Sequence, residues 1–110
     1  MNGPTVYDIY TAAFPYLDSG KVKKRPVIVV SKPVGKHQVV AVVPVSSKNK
    51  RETIDVIITG WKPSGLLLPS AARVHRLTAI LRVDLLAQVG SLSKSDVDQL
   101  QGALRSHLGL

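Results

Sequence analysis

A chain of 110 residues has room for one domain, and its 45% hydrophobic and 20% charged residues are typical of a folded globular protein rather than a disordered one. The chain contains no cysteine, which excludes disulfides, thiolate catalysis and cysteine-based metal clusters. Fifteen lysines and arginines against seven acids give a net charge of +8, which favours a polyanionic partner such as nucleic acid.

Residues 1–20 lack the basic-then-apolar layout of a secretory signal. No stretch of the chain approaches the roughly 18 consecutive apolar residues that a membrane helix needs. We therefore expect a soluble protein that stays in the cytoplasm and does not contact a membrane. The lack of cysteine is compatible with that reducing compartment.

Short runs of β-branched residues, bounded by Pro, Gly and Lys, predict buried β-strands. The predicted strands cover residues 26–31, 38–45 and 53–59. Residues 65–69 form a shorter apolar piece, and residues 73–82 are a further strand candidate with a charged beginning and an apolar end. Turn-forming residues fill the connections between these segments.

The hydrophobic period changes near the C-terminus, where apolar residues recur every three or four positions and predict an amphipathic helix. These apolar positions are Val97, Leu100, Leu104 and Leu108. Ser93 and Asp96 resemble a capping box at the start of the helix, and Gly109 follows as a stop signal. A shorter helix is predicted over residues 84–90.

Five or six short strands followed by a terminal helix predict a mainly β fold with some α structure. Strands spaced about 8–12 residues apart are typical of a small closed or half-open barrel. A parallel sheet would instead need a helix between successive strands. We therefore expect one small barrel domain that spans residues 1–110.

The common signatures of P-loop enzymes, dinucleotide-binding proteins, zinc proteases and serine hydrolases do not occur in the sequence. A two-metal nuclease needs several converging acids, whereas this chain has one Glu and six Asp. Its three histidines are scattered and cannot form a closed zinc cage by themselves. We therefore expect no metal and no other cofactor.

Basic residues form two clusters that are separated by apolar segments. The clusters are Lys21, Lys23, Lys24 and Arg25, and then Lys48, Lys50 and Arg51. Four of the five aromatic residues precede the first cluster, where rings could stack on unpaired bases beside cations that bind phosphates. The alternative, which we favour for Tyr7, Phe14 and Trp61, is packing in the core.

The most informative pattern begins at the first basic cluster. Residues 21–31 (KVKKRPVIVVS) are followed by residues 43–47 (VPVSS). At these points the chain resembles the PemK/MazF family of bacterial toxins, ribosome-independent endoribonucleases of type II toxin-antitoxin modules. The likeness extends to residues 13–16 (AFPY), 68–74 (LPSAARV) and 90–93 (GSLS), and it covers nearly the whole chain.

The resemblance implies a small SH3-like barrel of the CcdB/MazF type with a C-terminal helix, and a homodimer. It also implies sequence-selective cleavage of single-stranded RNA, such as mRNA, by attack of the 2′-hydroxyl and without a metal ion. A ribonuclease must be inhibited in its own cell, so a cognate acidic antitoxin is the expected protein partner. Such an antitoxin would bind a chain of net charge +8 favourably.

Arg25 and Ser46 match the family's pattern at its catalytic positions. A guanidinium stays charged at physiological pH and offers a planar fork to two phosphoryl oxygens, so Arg25 is expected to stabilise the transition state. Delivery of a proton to the leaving 5′-oxygen is a second role expected of Arg25. The Ser46 hydroxyl would donate to a non-bridging phosphate oxygen. The alternatives are an ion pair between Arg25 and Asp18 or another acid, and a turn in which Ser46 satisfies local backbone groups.

The remaining candidate site residues are expected to contact RNA. They are Tyr16, Ser19, Lys21, Lys23, Lys24, Ser47, Lys48, His75 and Arg76. The loop lysines would bind backbone phosphates or simply stay solvated.

The general base is not assigned by this pattern. Some relatives have a Glu shortly before the catalytic Arg, but the nearest earlier acid in this chain is Asp18. His75 and Arg76 stand where several relatives have a Glu-Gln pair. We hypothesise that the His75 imidazole lies near the 2′-hydroxyl and accepts its proton, the alternative being a surface histidine without a role in catalysis.

Two alternative functions belong to other classes. The same barrel serves CcdB-type toxins, which bind DNA gyrase through the terminal helix, and a basic surface also suits a non-catalytic nucleic-acid-binding module. A gyrase binder would depend on the exposed residues 105–110 and would need neither Arg25 nor Ser46. Cleavage of RNA in the presence of EDTA distinguishes the enzyme from both alternatives.

Overall fold

The computed structural model describes residues 3–15, 20–47 and 52–110. Within these residues, seven β-strands precede one α-helix. The strands are β1 (Asp8–Pro15), β2 (Val22–Val29), β3 (Val39–Ser46), β4 (Val56–Ile58), β5 (Ser70–Ala72), β6 (Thr78–Leu81) and β7 (Leu85–Ser91). The helix α1 spans Lys94–Leu108, and short 3₁₀ turns span Val74–Arg76 and Arg82–Asp84. The expected mainly β fold with a C-terminal helix is confirmed.

All strand pairs are antiparallel, and the order in the sheet is β4-β5-β3-β2-β1-β7, with β6 also paired to β3. The long strand β3 makes the sheet curl, because it changes partners along its length. Its first half, from Val39 to Val42, pairs with β6, and its end pairs with β5 at Val45 and Ala72. The result is a curled half-barrel with β2 and β3 side by side in its middle.

The central strands bury both of their faces, each in a different hydrophobic cluster. Ile28 and Val43 belong to one cluster, together with Leu100 of α1, whereas Val27 and Val29 belong to the other. Successive side chains of a strand point to opposite faces, so a strand that is covered on both faces is apolar at every position. This explains the continuous β-branched runs of β2 and β3.

Four aromatic side chains of the described residues lie in the core or against it, and Tyr10 is the one that packs against the cluster of Val27 and Val29. Phe14 is 2% exposed, and Tyr7 and Trp61 pack against the cluster that contains Leu100. Core packing, the interpretation favoured for these three rings, is confirmed.

The two best-marked predicted strands are confirmed, with shifted boundaries. Residues 38–45 correspond to β3, which spans Val39–Ser46, and residues 26–31 correspond to β2, which begins earlier, at Val22, and ends at Val29. The neighbouring strand β1 pairs with β2 as far as Pro15, which lies opposite Val22. That pairing keeps residues 22–25 (VKKR) extended, although three consecutive basic residues do not predict a strand.

The strand predicted over residues 53–59 is shorter than expected, since only Val56–Ile58 pair. A turn occupies the preceding residues, because the Asp55 N–H donates to the Glu52 carbonyl and the Glu52 N–H donates to the Asp55 carboxylate at 3.0 Å. The apolar piece at 65–69 forms no strand.

Two further predictions are wrong. The strand predicted over residues 73–82 fails in its first half, where Val74–Arg76 form a 3₁₀ turn, and only Thr78–Leu81 pair as a strand. The helix predicted over residues 84–90 is instead the strand Leu85–Ser91, which hydrogen-bonds to β1. In this segment the available partner strand decides the structure, and the helical spacing of a few apolar residues does not.

The terminal helix is confirmed, and its start is tied to the loop after β4. The Ser93 hydroxyl oxygen accepts the Asp96 N–H at 3.4 Å, as an N-cap does. In a capping box, the Asp96 carboxylate would accept the Ser93 N–H. Here the carboxylate instead accepts hydrogen bonds from the loop after β4. It accepts the Thr59 N–H at 3.0 Å, the Thr59 hydroxyl at 2.8 Å and the Gly60 N–H at 2.9 Å.

Asp96 is 1% exposed, and two opposing effects act on its pKa. Burial raises the pKa of Asp96, but the hydrogen bonds donated by Gly60, Thr59 and Ser93 favour the carboxylate and outweigh burial. The pKa of Asp96 therefore lies below its ordinary value. The ionised side chain joins α1 to the loop.

The helix ends as predicted at Gly109, whose φ of 73° is in the left-handed region. The Gly109 N–H donates to the carbonyls of Arg105 and Ser106, and the Leu110 N–H also donates to the Arg105 carbonyl at 2.9 Å. In the part of the chain that the structure describes, no helix combines the length and apolarity that crossing a membrane requires.

Candidate functional site

A groove of about 610 Å³ lies where the start of β2 meets the end of β3. Residues 65–68 and Val89 form an apolar wall, and basic and hydroxyl side chains form the rest of the surface. The lining residues are Thr11, Lys23, Arg25, Pro26, Pro44, Val45, Ser46, Ser47, Gly65, Leu66, Leu67, Leu68, Ser70, Arg73, Arg76 and Val89.

The antiparallel register of β2 and β3 brings Arg25 and Ser46 to the same end of the sheet. Val27 pairs with Pro44. Arg25 lies two residues before Val27 in β2, and Ser46 lies two residues after Pro44 in β3, so in this antiparallel pair both lie on the same side of it. Because side chains two residues apart share a face, the pleat puts Arg25 and Ser46 on the same face of the sheet. Both side chains line the groove.

The groove is positively charged. Its basic side chains are Lys23, Arg25, Arg73 and Arg76, and no acidic side chain is among its described lining residues. Arg25 makes no ion pair with any residue in the described ranges, so its charge is not neutralised there. A concave surface lined by charges of one sign concentrates their field, which suits an anionic ligand.

Hydroxyl groups also line the groove, on Thr11, Ser46, Ser47 and Ser70. Two of them are already engaged, because the Thr11 hydroxyl donates to the Ala87 carbonyl at 3.5 Å and the Ser70 hydroxyl donates to the Leu68 carbonyl at 2.7 Å. Ser46 is the last residue of β3 and pairs with Ala71, so it lies in a strand and not in the turn that the alternative interpretation proposed. A hydroxyl beside guanidinium groups can donate to a non-bridging phosphate oxygen. The side chains of the groove therefore match the chemistry of a phosphodiester.

The apolar wall depends on a close approach between two backbone segments. Gly65 has a φ of +93°, and a Cβ at this position would overlap the carbonyl oxygen of Val89 in β7. A Cβ on Gly90 would likewise overlap the carbonyl oxygen of Ser64. Two glycines thus let the loop lie directly on β7. This contact carries Leu67, which is 91% exposed, to the rim of the groove.

One groove arginine has a buried acidic partner. The Arg73 Nε lies 2.8 Å from Oδ2 of Asp55, whose side chain is 1% exposed. The other carboxylate oxygen, Oδ1, lies 3.3 Å from Nδ1 of His75. In the described ranges, Asp55 Oδ1, Arg73 Nε and His75 Nδ1 have no hydrogen bond of good geometry, so the contact between Arg73 and Asp55 is an ion pair rather than an aligned hydrogen bond.

The structure brings together five of the candidate residues named from the sequence. Lys23, Arg25, Ser46, Ser47 and Arg76 all line the groove. The exposed Lys21 and Lys24 are not among its lining residues, and neither is His75, which contacts Asp55. Tyr16, Ser19 and Lys48 lie outside the described residues, as does Asp18, the acid suggested as a partner of Arg25.

Sequence reasoning missed Arg73, Thr11 and Ser70 as groove residues. Arg73 stands within residues 68–74, one of the stretches that carry the resemblance, and a basic residue directly after an apolar segment was the signal available there. Thr11 and Ser70 gave no such signal.

Comparison of the sequence with known protein families identifies one match. The family model of PemK-like, MazF-like toxins of type II toxin-antitoxin systems matches residues 5–108. The chain belongs to this family. No curated protein sequence matches the toxin significantly.

Solved structures similar to this toxin share its fold. The Mycobacterium tuberculosis toxin MazF-mt6 is 26% identical, with a TM-score of 0.73 over 94% of this chain and 97% of that one. An endoribonuclease from a Mycobacterial species is 18% identical, with a TM-score of 0.75 over 100% and 95% of the two chains. A MazE-MazF structure from Deinococcus radiodurans is 17% identical, with a TM-score of 0.70 over 100% and 99%. The predicted MazF-type barrel with a C-terminal helix is confirmed.

Proposed function

We propose that this toxin is a metal-independent endoribonuclease that cuts single-stranded RNA in the basic groove. The observation that carries the proposal is that Arg25 and Ser46, from neighbouring strands, line one groove that has four basic side chains and no acidic one among its described lining residues. Membership of the family and the similar fold of a Mycobacterial endoribonuclease support it.

RNA carries its own nucleophile, so the protein needs to position one phosphodiester and stabilise charge on it. The 2′-hydroxyl attacks the phosphorus, the bond to the 5′-oxygen breaks, and the products are a 2′,3′-cyclic phosphate and a 5′-hydroxyl. Arg25 holds the phosphoryl oxygens and gives a proton to the leaving 5′-oxygen, and the guanidinium regains a proton from water. The proton of the attacking 2′-hydroxyl passes to a general base. The Ser46 hydroxyl donates to a non-bridging oxygen and orients the scissile bond.

The candidate for the group that accepts the 2′-hydroxyl proton is His75. The hypothesis that His75 is this base stays a prediction, and the contact between His75 and Asp55, outside the groove lining, does not support it. The test is the variant His75→Gln. Full cleavage by this variant between pH 5 and pH 8 excludes His75 as the base.

The other groove residues are proposed to hold the strand on either side of the scissile bond. Lys23, Arg76 and Ser47 contact phosphates, and the exposed Leu67 meets base or sugar surfaces at the rim. Phosphate contacts carry no sequence information, so the choice of bases depends on the loops around the groove. Each phosphate contact adds to the salt dependence of binding.

The protein partners are proposed from the family and from charge. An acidic antitoxin is complementary to a chain of net charge +8, and MazE-MazF structures from Deinococcus radiodurans are among the similar folds. We further propose a homodimer in the cytoplasm, with one domain over residues 1–110.

The test of the ribonuclease is cleavage of a labelled mixed-sequence RNA by the purified protein in EDTA. Arg25→Ala is expected to lower the rate roughly 10²–10³-fold, the usual cost of losing a preorganised donor to the transition-state charge. Arg105→Ala is the matched control, because Arg105 is an exposed arginine in the last turn of α1.

The outcomes also separate the alternative functions. The proposal is supported if RNA cleavage is lost in Arg25→Ala and kept in Arg105→Ala. If the intact protein leaves every RNA uncut, the enzyme is excluded. Inhibition of DNA gyrase that Arg105→Ala weakens would then favour the CcdB-type function.

A further inference from the structure

Asp55 is a buried acid at the back of a basic groove. Its side chain is 1% exposed, and it is not among the groove's lining residues. A buried carboxylate is costly unless charged or hydrogen-bonding groups compensate it. Here the compensation comes from the Arg73 guanidinium at 2.8 Å and the Glu52 N–H at 3.0 Å, both at Oδ2.

The strand register explains why Asp55 meets Arg73 although they are far apart in sequence. Val56 of β4 pairs with Ala72 of β5. Asp55 comes directly before Val56, and Arg73 comes directly after Ala72, so the same register continued by one residue sets them opposite each other. The Arg73 N–H also donates to the Pro44 carbonyl at 2.8 Å, which fixes the backbone beside the end of β3.

The contact engages only one edge of the arginine. Asp55 approaches Nε at 2.8 Å. A guanidinium has five N–H donors, so an arginine bound at Nε can also bind a second anion through its Nη groups. The Arg73 side chain is 17% exposed and lines the groove. Because the contact with Asp55 already restricts the Arg73 side chain, less conformational entropy is lost when Arg73 binds a phosphate, and the phosphate is bound more tightly.

We infer that Asp55 is a positioning residue, which holds the Arg73 guanidinium in the groove so that it binds a phosphate of the RNA. The inference rests on the proposed function only in that the groove binds RNA. It assigns Asp55 no contact with the substrate, because its effect passes through Arg73.

The direction in which Asp55→Asn changes the RNA affinity distinguishes a positioning role from a simple effect of charge. Asp55→Asn removes a negative charge near the groove, and charge alone would make RNA bind more tightly. A positioning role predicts the opposite, since a released Arg73 binds the phosphate less well. The matched control is Asp98→Asn, which changes the net charge equally at an exposed site on α1.

The probe is a fluorescent, mixed-sequence, single-stranded RNA whose 2′-hydroxyls are methylated, so that it is bound and not cut. Fluorescence anisotropy over a salt series gives the affinity and its salt dependence. We expect Arg73→Ala to weaken binding roughly 10-fold and to lower the slope of log K against log salt by about 0.7, the value for one phosphate contact on a single strand. Asp55→Asn is expected to weaken binding in the same direction, and Asp98→Asn is not.

A folding control and a second Asp55 variant complete the experiment. Circular dichroism checks that each variant is folded, and Asp55→Glu, which preserves the charge but moves the carboxylate by one methylene, replaces Asp55→Asn if that variant does not fold. Asp55→Glu is also expected to weaken binding. RNA binding by the folded Asp55 variant that is as tight as the wild type, or tighter, overturns the inference. Because the probe is not cut, that result does not affect the ribonuclease proposal. Conversely, a wild-type protein that binds RNA but does not cut unmodified RNA overturns the ribonuclease proposal and does not affect the inference about Asp55.

Discussion

Substitution of Asp96 tests how the terminal helix is fastened to the loop that leads to the groove. Oδ1 of Asp96 accepts the Thr59 N–H and hydroxyl, and Oδ2 accepts the Gly60 N–H at 2.9 Å and the Ser93 hydroxyl at 2.9 Å. In Asp96→Asn one oxygen becomes an NH₂ group, so one backbone N–H loses its acceptor whichever way the amide is turned. A hydrogen bond to a charged group contributes about 1.5–3 kcal/mol, and an unsatisfied buried donor costs about 1–3 kcal/mol.

We therefore expect Asp96→Asn to lower the free energy of unfolding by about 2–4 kcal/mol, or the Tm by roughly 10–20 °C. The effect should depend on pH with a definite sign. The pKa of Asp96 is lowered in the folded protein, so its contribution is fully present above the ordinary value of 3.8 and is lost as the pH falls through the folded pKa. The difference between wild type and Asp96→Asn is expected to be full at pH 7 and smaller at pH 2.

The assay is thermal and urea unfolding followed by circular dichroism, at equal protein concentration because any self-association shifts apparent stability. Asp98→Asn is the matched control, since Asp98 is an exposed acid two residues along the same helix. Equal losses of stability in the two variants, or a loss in Asp96→Asn that does not change with pH, would refute this account of Asp96.

Two other predictions concern the walls of the groove. Gly65→Ala is expected to cost about 3 kcal/mol or more in thermal unfolding, because it combines a left-handed φ with overlap on the backbone, whereas Gly35→Ala, with a φ of +82° and open space, should cost only about 1–2 kcal/mol. Equal costs would show that the close contact with β7 is unimportant. Lys23→Ala should reduce the salt dependence of RNA binding by about 0.7 in the log–log slope, and Lys24→Ala, which removes the same charge outside the groove lining, should reduce it less. The reverse order would contradict the placement of the RNA.

The sequence predicts those elements whose signals are local. The β-branched runs of β2 and β3 are apolar at every position because both faces are buried, and α1 has its own cap and stop residues at Ser93 and Gly109. The strand Leu85–Ser91 could not be predicted in this way, because its structure comes from pairing with β1, more than seventy residues earlier.

The same distinction applies to the candidate site. Arg25 and Ser46 were found through a family pattern that the sequence displays directly. Arg73 gains its place in the groove from a register between β4 and β5, and from a buried acid eighteen residues earlier. Asp55 does not stand out locally, and the basic residue after an apolar segment at Arg73 does not point to Asp55, so only the folded arrangement shows that they belong together.

The central claim is that Arg25 and Ser46 act on one phosphodiester in one groove. Single-turnover cleavage of a labelled RNA in EDTA by the wild type, Arg25→Ala, Ser46→Ala and the double variant tests it most directly. Groups that hold the same phosphate are coupled, so the account predicts that each single variant is slower and that the double variant is slower by much less than the product of the two losses. Losses that multiply, or a Ser46→Ala variant as fast as the wild type, would contradict the claim.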